Sequence, residues 1–347
     1  MYNLNVEKVN LKNEKSVEEV RSFLKSFNLD LDSDVDYTVV ITEREEIKAT
    51  CSKAKSVFKC FAISEELRGE GVTATLINAL NDKLFAEGMY HNFIFTKPEN
   101  LEIFQGVGYK EVASVNKVVL LENGVYNIES YLNKLGKKYD ILQGKQRAAM
   151  VVNCNPLTLG HLYLIEEAAK KCEELLVFVV EENKSLFPFE VRFKLVKEGT
   201  SHLHNVKVIE GGEYIISSAT FPSYFLRRKD DILEGYTSLD ATIFGKHFGK
   251  KFSINKRFVG NEPYCEVTSA YNKALKQVLP RYGIEVIEVY RKEEKGLPIS
   301  ASRVRQLIKE DSLEEIRKIV PKVTYDFLLS EEGKVVMEKI KAVDSPH

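Results

Sequence analysis

Residues 148–161 read AAMVVNCNPLTLGH. AAMVV is an almost unbroken apolar run, the pattern of a strand buried on both faces of a parallel sheet. Beyond it, Leu162, Ile165, Ala168, Ala169 and Cys172 recur at helical spacing, while Glu166, Glu167, Lys170 and Lys171 turn away. The segment is therefore a strand, a turn and a helix. Free main-chain N–H groups and the positive dipole end make such a helix start an anion site. Asn155 and Pro156 direct the chain out of the strand. Gly160 omits a Cβ, so phosphate oxygens can come close to the backbone. His161, in the first helical turn, can donate to a phosphate oxygen, and Thr158 adds a hydroxyl on the same side.

A second segment, residues 299–305 (ISASRVR), belongs with the first. Ser300 precedes the helical pattern of Val304, Leu307 and Ile308 and reads as an N-cap. Ser302, Arg303 and Arg305 then crowd hydroxyls and cations into a first turn. Cations there oppose the helix dipole unless an anion is present, so the pattern points to phosphate held by guanidinium groups. Two helix starts converging on one nucleotide tail is the expectation.

Further strands follow at residues 175–180 (LLVFVV), 206–209, 258–260 and 284–290 (IEVIEVY), separated by helical stretches. Strands alternating with helices imply a doubly wound, Rossmann-like α/β sheet. Ligands of such sheets lie beyond the carboxyl ends of the strands, which places Lys184 and Arg192 to reach a phosphate or a substrate carboxylate. His247, between Phe244 and Phe248, reads as a core-edge residue. Residues 217–225 either wall a substrate pocket or pack their aromatic rings into a core.

Thr158, Gly160 and His161, with Ile299, Ser300, Ser302 and Arg305, resemble the two signatures of the nucleotidyltransferase superfamily, H/T-x-G-H and I-S-x-S/T-x-x-R. The strings NCNPLTLGHLYL (153–164), RFKLVKEG (192–199), EYIISSATFPSYF (213–225) and FVGNEP (258–263) are similar to the citrate lyase ligases, over essentially the whole chain. The resemblance implies ATP-dependent acetylation of the thiol prosthetic group on the acyl carrier subunit of citrate lyase. Acetate is adenylated with loss of pyrophosphate, and the carrier thiol then displaces AMP. It also implies that Asn155, Pro156, Thr158, Gly160, His161, Gly260, Ser300, Ser302 and Arg305 bind ATP. Of these, His161, Ser302 and Arg305 would act on the reacting phosphates. Mg2+ would be carried mainly by phosphate oxygens, with no protein metal site. Rival readings are an adenylyltransferase acting on a phosphorylated metabolite, an acetyl-CoA-dependent acetyltransferase and a nucleotide-binding sensor.

The first half of the chain repeats the strand, glycine turn, helix order at residues 57–63 and 72–85, with a further strand at 91–96. Arg68 and Gly71 resemble the R/Q-x-x-G-x-G/A loop of the GNAT acetyltransferases, which cradles the pyrophosphate of acetyl-CoA. Thr73 departs from that pattern, since it adds a β-branched side chain where Gly or Ala is usual. The domain is expected to be α+β, and to dock the carrier or its CoA-like group through Arg68, Gly71 and Thr73 rather than to catalyse. The expected boundaries are a GNAT-like domain at 1–125, a linker with a short helix at 126–146 and the nucleotidyltransferase-like domain at 147–347.

Fifty Lys and Arg against 51 Asp and Glu leave a net charge of −1 across 347 residues. No global field draws the chain to nucleic acid or to a membrane. Five cysteines without a C-x-x-C pair suggest neither zinc nor a disulfide framework. Cys154 reads as a small buried residue rather than a nucleophile. The polar start and the lack of a long apolar run suggest a cytoplasmic protein.

Overall fold

The computed structural model describes residues 5–141, 144–182, 185–216, 221, 224–226, 229–261, 266–290, 293–294 and 297–342. The chain forms two compact units. The first comprises Met1–Tyr131 and Phe221–Thr242, and the second Leu132–Thr220 and Ile243–His347. Within the stretch expected to be a linker beginning with a short helix lies the helix Ile128–Lys138. The grouping of residues 221–242 with the first unit departs from the expected boundaries, because their aromatic and charged side chains find partners there.

The second unit is built on five parallel strands, β8 (Arg147–Val152), β9 (Leu175–Val179), β10 (Val206–Glu210), β11 (Ile254–Gly260) and β12 (Glu285–Val289), in the order β10-β9-β8-β11-β12. The apolar runs form the centre, as their composition requires. Ala148, Ala149 and all five residues of β9 are completely buried. The helix Leu159–Ala169 packs Leu164, Ile165, Ala168 and Ala169 into the same core, beside Val304, Leu307 and Ile308 of the helix Ala301–Lys309. Because β8 neighbours both β9 and β11, the chain winds away from it in both directions. Residues 153–161 follow its carboxyl end, the place where ligands of such sheets bind.

The first unit carries a mixed sheet of β1 (Val6–Lys8), β2 (Tyr37–Glu43), β3 (Glu46–Ala54), β4 (Val57–Ile63), β5 (His91–Thr96), β6 (Lys110–Val115) and β7 (Val118–Gly124), in the order β1-β2-β3-β4-β5-β7-β6. All pairs are antiparallel except β4 and β5, which run parallel. The helix Val72–Ala86 buries Leu76, Ile77, Leu80 and Leu84 against the sheet. Strand, glycine turn, helix and strand thus occur where residues 57–96 suggest them. No helix among the described residues is long and apolar enough to cross a membrane.

Candidate functional site

The two motif segments of the second unit meet. Arg305 donates from Nη1 to the Asn155 carbonyl oxygen at 2.7 Å, across 150 residues of sequence. Gly160 packs directly on Ile299: a Cβ at 160 would stand 2.5 Å from the Ile299 carbonyl oxygen and 3.3 Å from its Cβ. This corrects the expected reason for the glycine. Its missing Cβ admits the backbone of the other motif rather than a phosphate oxygen, and Gly160 is itself buried.

Thr158 also works differently from a phosphate-facing hydroxyl. It is fully buried and caps the helix Leu159–Ala169, with Oγ1 accepting from the His161 amide at 3.3 Å. The imidazole returns the contact. Its Nδ1 accepts from the Thr158 amide at 3.2 Å and lies 2.9 Å from Thr158 Oγ1. An Nδ1 that accepts a main-chain N–H cannot carry the proton of a neutral ring. The cap thus selects the tautomer with hydrogen on Nε2 and makes that nitrogen a donor.

Asn155 is 8% exposed, and its Oδ1 accepts from the Phe187 amide at 3.0 Å. It joins Pro156 through a cis peptide bond. Behind this turn, Thr324 of the helix Lys322–Leu329 donates from Oγ1 to the Leu157 carbonyl at 3.0 Å, a support with no signal in the local sequence. Cys154 is buried at 1% exposure, and burial pushes its thiol up to about 12, so it is no thiolate at neutral pH.

On the facing segment, Ser300 caps the helix Ala301–Lys309 through Oγ, which accepts from the Arg303 amide at 3.2 Å. The Ser300 and Ser302 hydroxyl oxygens are 2.9 Å apart. Arg305 is half-buried, and burial lowers its guanidinium from the usual arginine range. A cation held there is less well solvated than on the surface, which favours a site that takes an anion. Arg303 is exposed and pairs with Glu310 at 3.6 Å. Gly260 ends β11 beside β8, and its carbonyl accepts from Asn272 Nδ2 at 2.9 Å.

Arg192 is drawn elsewhere than to a ligand. It is fully buried, donating from Nε to Phe187 O at 3.0 Å, from Nη1 to Asn153 O at 2.9 Å and Val180 O at 2.8 Å, and from Nη2 to Glu182 O at 3.1 Å. The expected phosphate or acetate contact gives way to a clamp that ties the turn after β8 to the turn after β9. Lys184 lies outside the described residues, as do 262–263, 217–220 and 222–223 of the strings quoted above. Phe221, Tyr224 and Phe225 belong to the first unit, where they pack as core residues.

In the first unit, Gly69 and Gly71 have φ of 86° and 72°, and Gly71 opens the helix Val72–Ala86. Thr73 is half-buried in that first turn, and Arg68 is exposed beside Glu65 at 3.5 Å. Among the described residues no group of three or more His, Cys, Asp or Glu is gathered as for a metal ion.

The family model described as citrate lyase ligase C-terminal domain matches residues 147–328. The [citrate [pro-3S]-lyase] ligase of Escherichia coli K12 is 38% identical over 320 residues, covering 90% of this chain and 90% of that protein. The ligase of the same name from Klebsiella pneumoniae is 35% identical, covering 92% and 94%. A phosphopantetheine adenylyltransferase of Corynebacterium efficiens is 46% identical over 57 residues, 16% of this chain and 36% of that protein. With two helix starts locked together at the carboxyl edge of a doubly wound sheet and full-length relatives of one kind, the chain belongs to the citrate lyase ligase family.

Proposed function

We propose that the second unit joins acetate to ATP and passes the acetyl group to the thiol of the prosthetic group on the acyl carrier subunit of citrate lyase, releasing AMP and pyrophosphate. The observation that carries this reading is the junction of the two motifs: Arg305 on the Asn155 carbonyl and Gly160 on Ile299. Two adjoining helix N-termini that carry an imidazole and a guanidinium support this reading, since such groups are the equipment for a polyphosphate.

In this mechanism an acetate oxygen attacks the α-phosphorus as the bond to pyrophosphate breaks. No protein nucleophile is required. The chain's contribution is to hold two anions together and to neutralise charge that moves onto the leaving group. His161, with its proton set on Nε2 by the Thr158 cap, donates to a phosphate oxygen. Ser300, Ser302 and Arg305 hold the departing pyrophosphate, while Asn155 and Pro156 shape the turn and Gly260 lets the nucleoside lie against β11. Taken up together with a nucleotide held by His161, Ser300, Ser302 and Arg305, magnesium would lower the negative charge the attacking carboxylate meets. The carrier thiol then attacks the acetyl carbonyl, and AMP leaves with the bonding electrons. Such chemistry fits a cytoplasmic enzyme supplied with ATP.

The decisive experiment mixes the protein with ATP, magnesium, acetate and deacetylated carrier subunit, then weighs the carrier. A gain of one acetyl group, with AMP in equal amount, is expected. Acetyl transfer from acetyl-CoA without ATP, or AMP retained on a metabolite, would replace this reading with another.

A further inference from the structure

In the first unit β4 and β5 pair only at Val57 with Phe93 and Phe58 with Ile94. Just beyond, β4 carries a bulge against β3 at Cys60, whose φ is 57°. The two strands part there, and a gap opens within the sheet. The facing edges of such a gap carry main-chain groups that need partners. An extended, amide-bearing ligand can supply them by pairing as a strand does. Phe93 donates its amide to Ser56 O at 2.9 Å, on the β4 side. Phe95, two residues on, turns its main-chain groups the same way, so its carbonyl faces the gap.

The protein itself fills that place. Tyr224 donates from its hydroxyl to the Phe95 carbonyl at 2.8 Å and is only 5% exposed. Its own carbonyl accepts from the Asp30 amide at 3.0 Å. Burial raises the Tyr224 hydroxyl well above the usual phenol range, and the loop that holds its carbonyl through Asp30 is itself tied to β4 by the Asp32 carboxylate on Lys59 at 3.0 Å. Phe225 meets it edge-on at 4.9 Å, and Phe221 meets Phe95 edge-on at 5.6 Å. The helix that begins at Lys229 is fastened as well. Lys117 pairs with Asp231 at 2.8 Å and Glu234 at 3.1 Å, and Gly235 lies close to Val118.

We infer that Phe221, residues 224–226 and residues 229–242 are a built-in occupant of the first unit: Tyr224 takes the main-chain acceptor that a pantetheine-type thiol arm would pair with, and the unit seats these residues instead of a thioester ligand. The glycine turn at residues 69–71 then persists as the start of a helix, without an arm to lead into the sheet. This departs from the expected docking of a CoA-like group through Arg68, Gly71 and Thr73. It is independent of the adenylation chemistry assigned to the second unit.

The test uses the full chain and needs no ATP. Calorimetric titration with coenzyme A is expected to give no saturable heat tighter than about 1 mM. Hydrogen exchange of residues 57–63 and 93–96 should be unchanged by it. Micromolar binding with protection of those strands would overturn the inference. Cys60, 0% exposed, supplies a second readout. In Tyr224→Ala its alkylation, located by peptide mass, should run at least about tenfold faster than in the wild type, a shift of about 1.4 kcal/mol in the opening equilibrium. In Tyr224→Phe, which keeps the ring, it should stay slow. A folded Tyr224→Ala protein with wild-type Cys60 reactivity contradicts the inference, and if that variant fails to fold, the wild-type titration decides alone.

Discussion

Replacing Gly160 by alanine tests the junction of the two motifs with a single methyl group. The new Cβ would stand 2.5 Å from the Ile299 carbonyl oxygen, with the Ile299 Cβ at 3.3 Å on the same side. Ordinary contact needs most of an ångström more, and the obstacle is backbone rather than a side chain that can swing away. Overpacking of this kind costs about 1–3 kcal/mol. Alanine returns up to about 1 kcal/mol of helix propensity relative to glycine. The net loss of stability is therefore modest, about 0–2 kcal/mol, and thermal unfolding discriminates poorly. Rate is the sharper readout, because Ile299 leads directly into Ser300 and the helix that carries Ser302 and Arg305. A shift approaching 1 Å between reacting groups costs about a hundredfold. Acetate-dependent ATP–pyrophosphate exchange should fall by that order in Gly160→Ala while the protein remains folded. Exchange within twofold of wild type would refute the argument that this contact sets the geometry of the site.

Other perturbations separate chemistry from scaffolding. His161→Ala should lower the exchange rate about a hundredfold to a thousandfold, as loss of one charge-stabilising donor does, with circular dichroism unchanged; near-normal exchange would remove His161 from the reaction. Thr158→Val removes the capping hydroxyl, which also lies beside His161 Nδ1, and leaves only the main-chain donor to hold the ring, so a loss of about 1 kcal/mol in stability should accompany a fall in kcat, and a fall in stability alone would mean that the hydroxyl does not orient the imidazole. Arg192→Met leaves four carbonyls without their donor, each buried acceptor costing about 1–3 kcal/mol when unpaired; urea unfolding should show a severe loss, whereas a stable protein with raised KM for acetate would return Arg192 to the ligand. Burial raises the Glu174 carboxyl, but its bond to the Arg147 guanidinium, with Lys207 nearby, outweighs this and holds it below the usual carboxylate range. As pH falls, the unfolded chain takes up this proton first, so the stabilisation present at neutral pH disappears from about pH 4.3 downward through the lower folded value. Glu174→Gln should flatten the acid limb of stability against pH, and an unchanged limb would contradict the assignment.

How much of this was legible depended on whether the deciding interaction was local. The runs at 148–152 and 175–179 identify central parallel strands because both faces are buried, and each residue declares that on its own. The Thr158 and Ser300 caps are likewise written within four residues of the helices they start. Gly160 carries a signal whose cause is remote: the glycine is visible, but the Ile299 carbonyl that requires it is 139 residues away. Arg192 misleads for a related reason. A cation near the carboxyl ends of strands suits a ligand as well as a clamp, and only the turns after β8 and β9 decide between them. Phe221, Tyr224 and Phe225 announce burial without naming the surface that receives them, and that surface, with Phe95, belongs to the first unit rather than to the sheet that precedes them in sequence.

An isotope experiment tests the central claim most directly. Acetate labelled with oxygen-18 in both carboxylate positions is supplied with ATP, magnesium and deacetylated carrier subunit, and the phosphorus products are weighed after turnover. Attack by the carboxylate on the α-phosphorus, followed by thiol attack on the acetyl carbonyl, must leave one labelled oxygen on each AMP and none on pyrophosphate. Label in pyrophosphate or orthophosphate, or unlabelled AMP from a carrier that has gained its acetyl group, would contradict an acetyl-adenylate formed between these two helix ends.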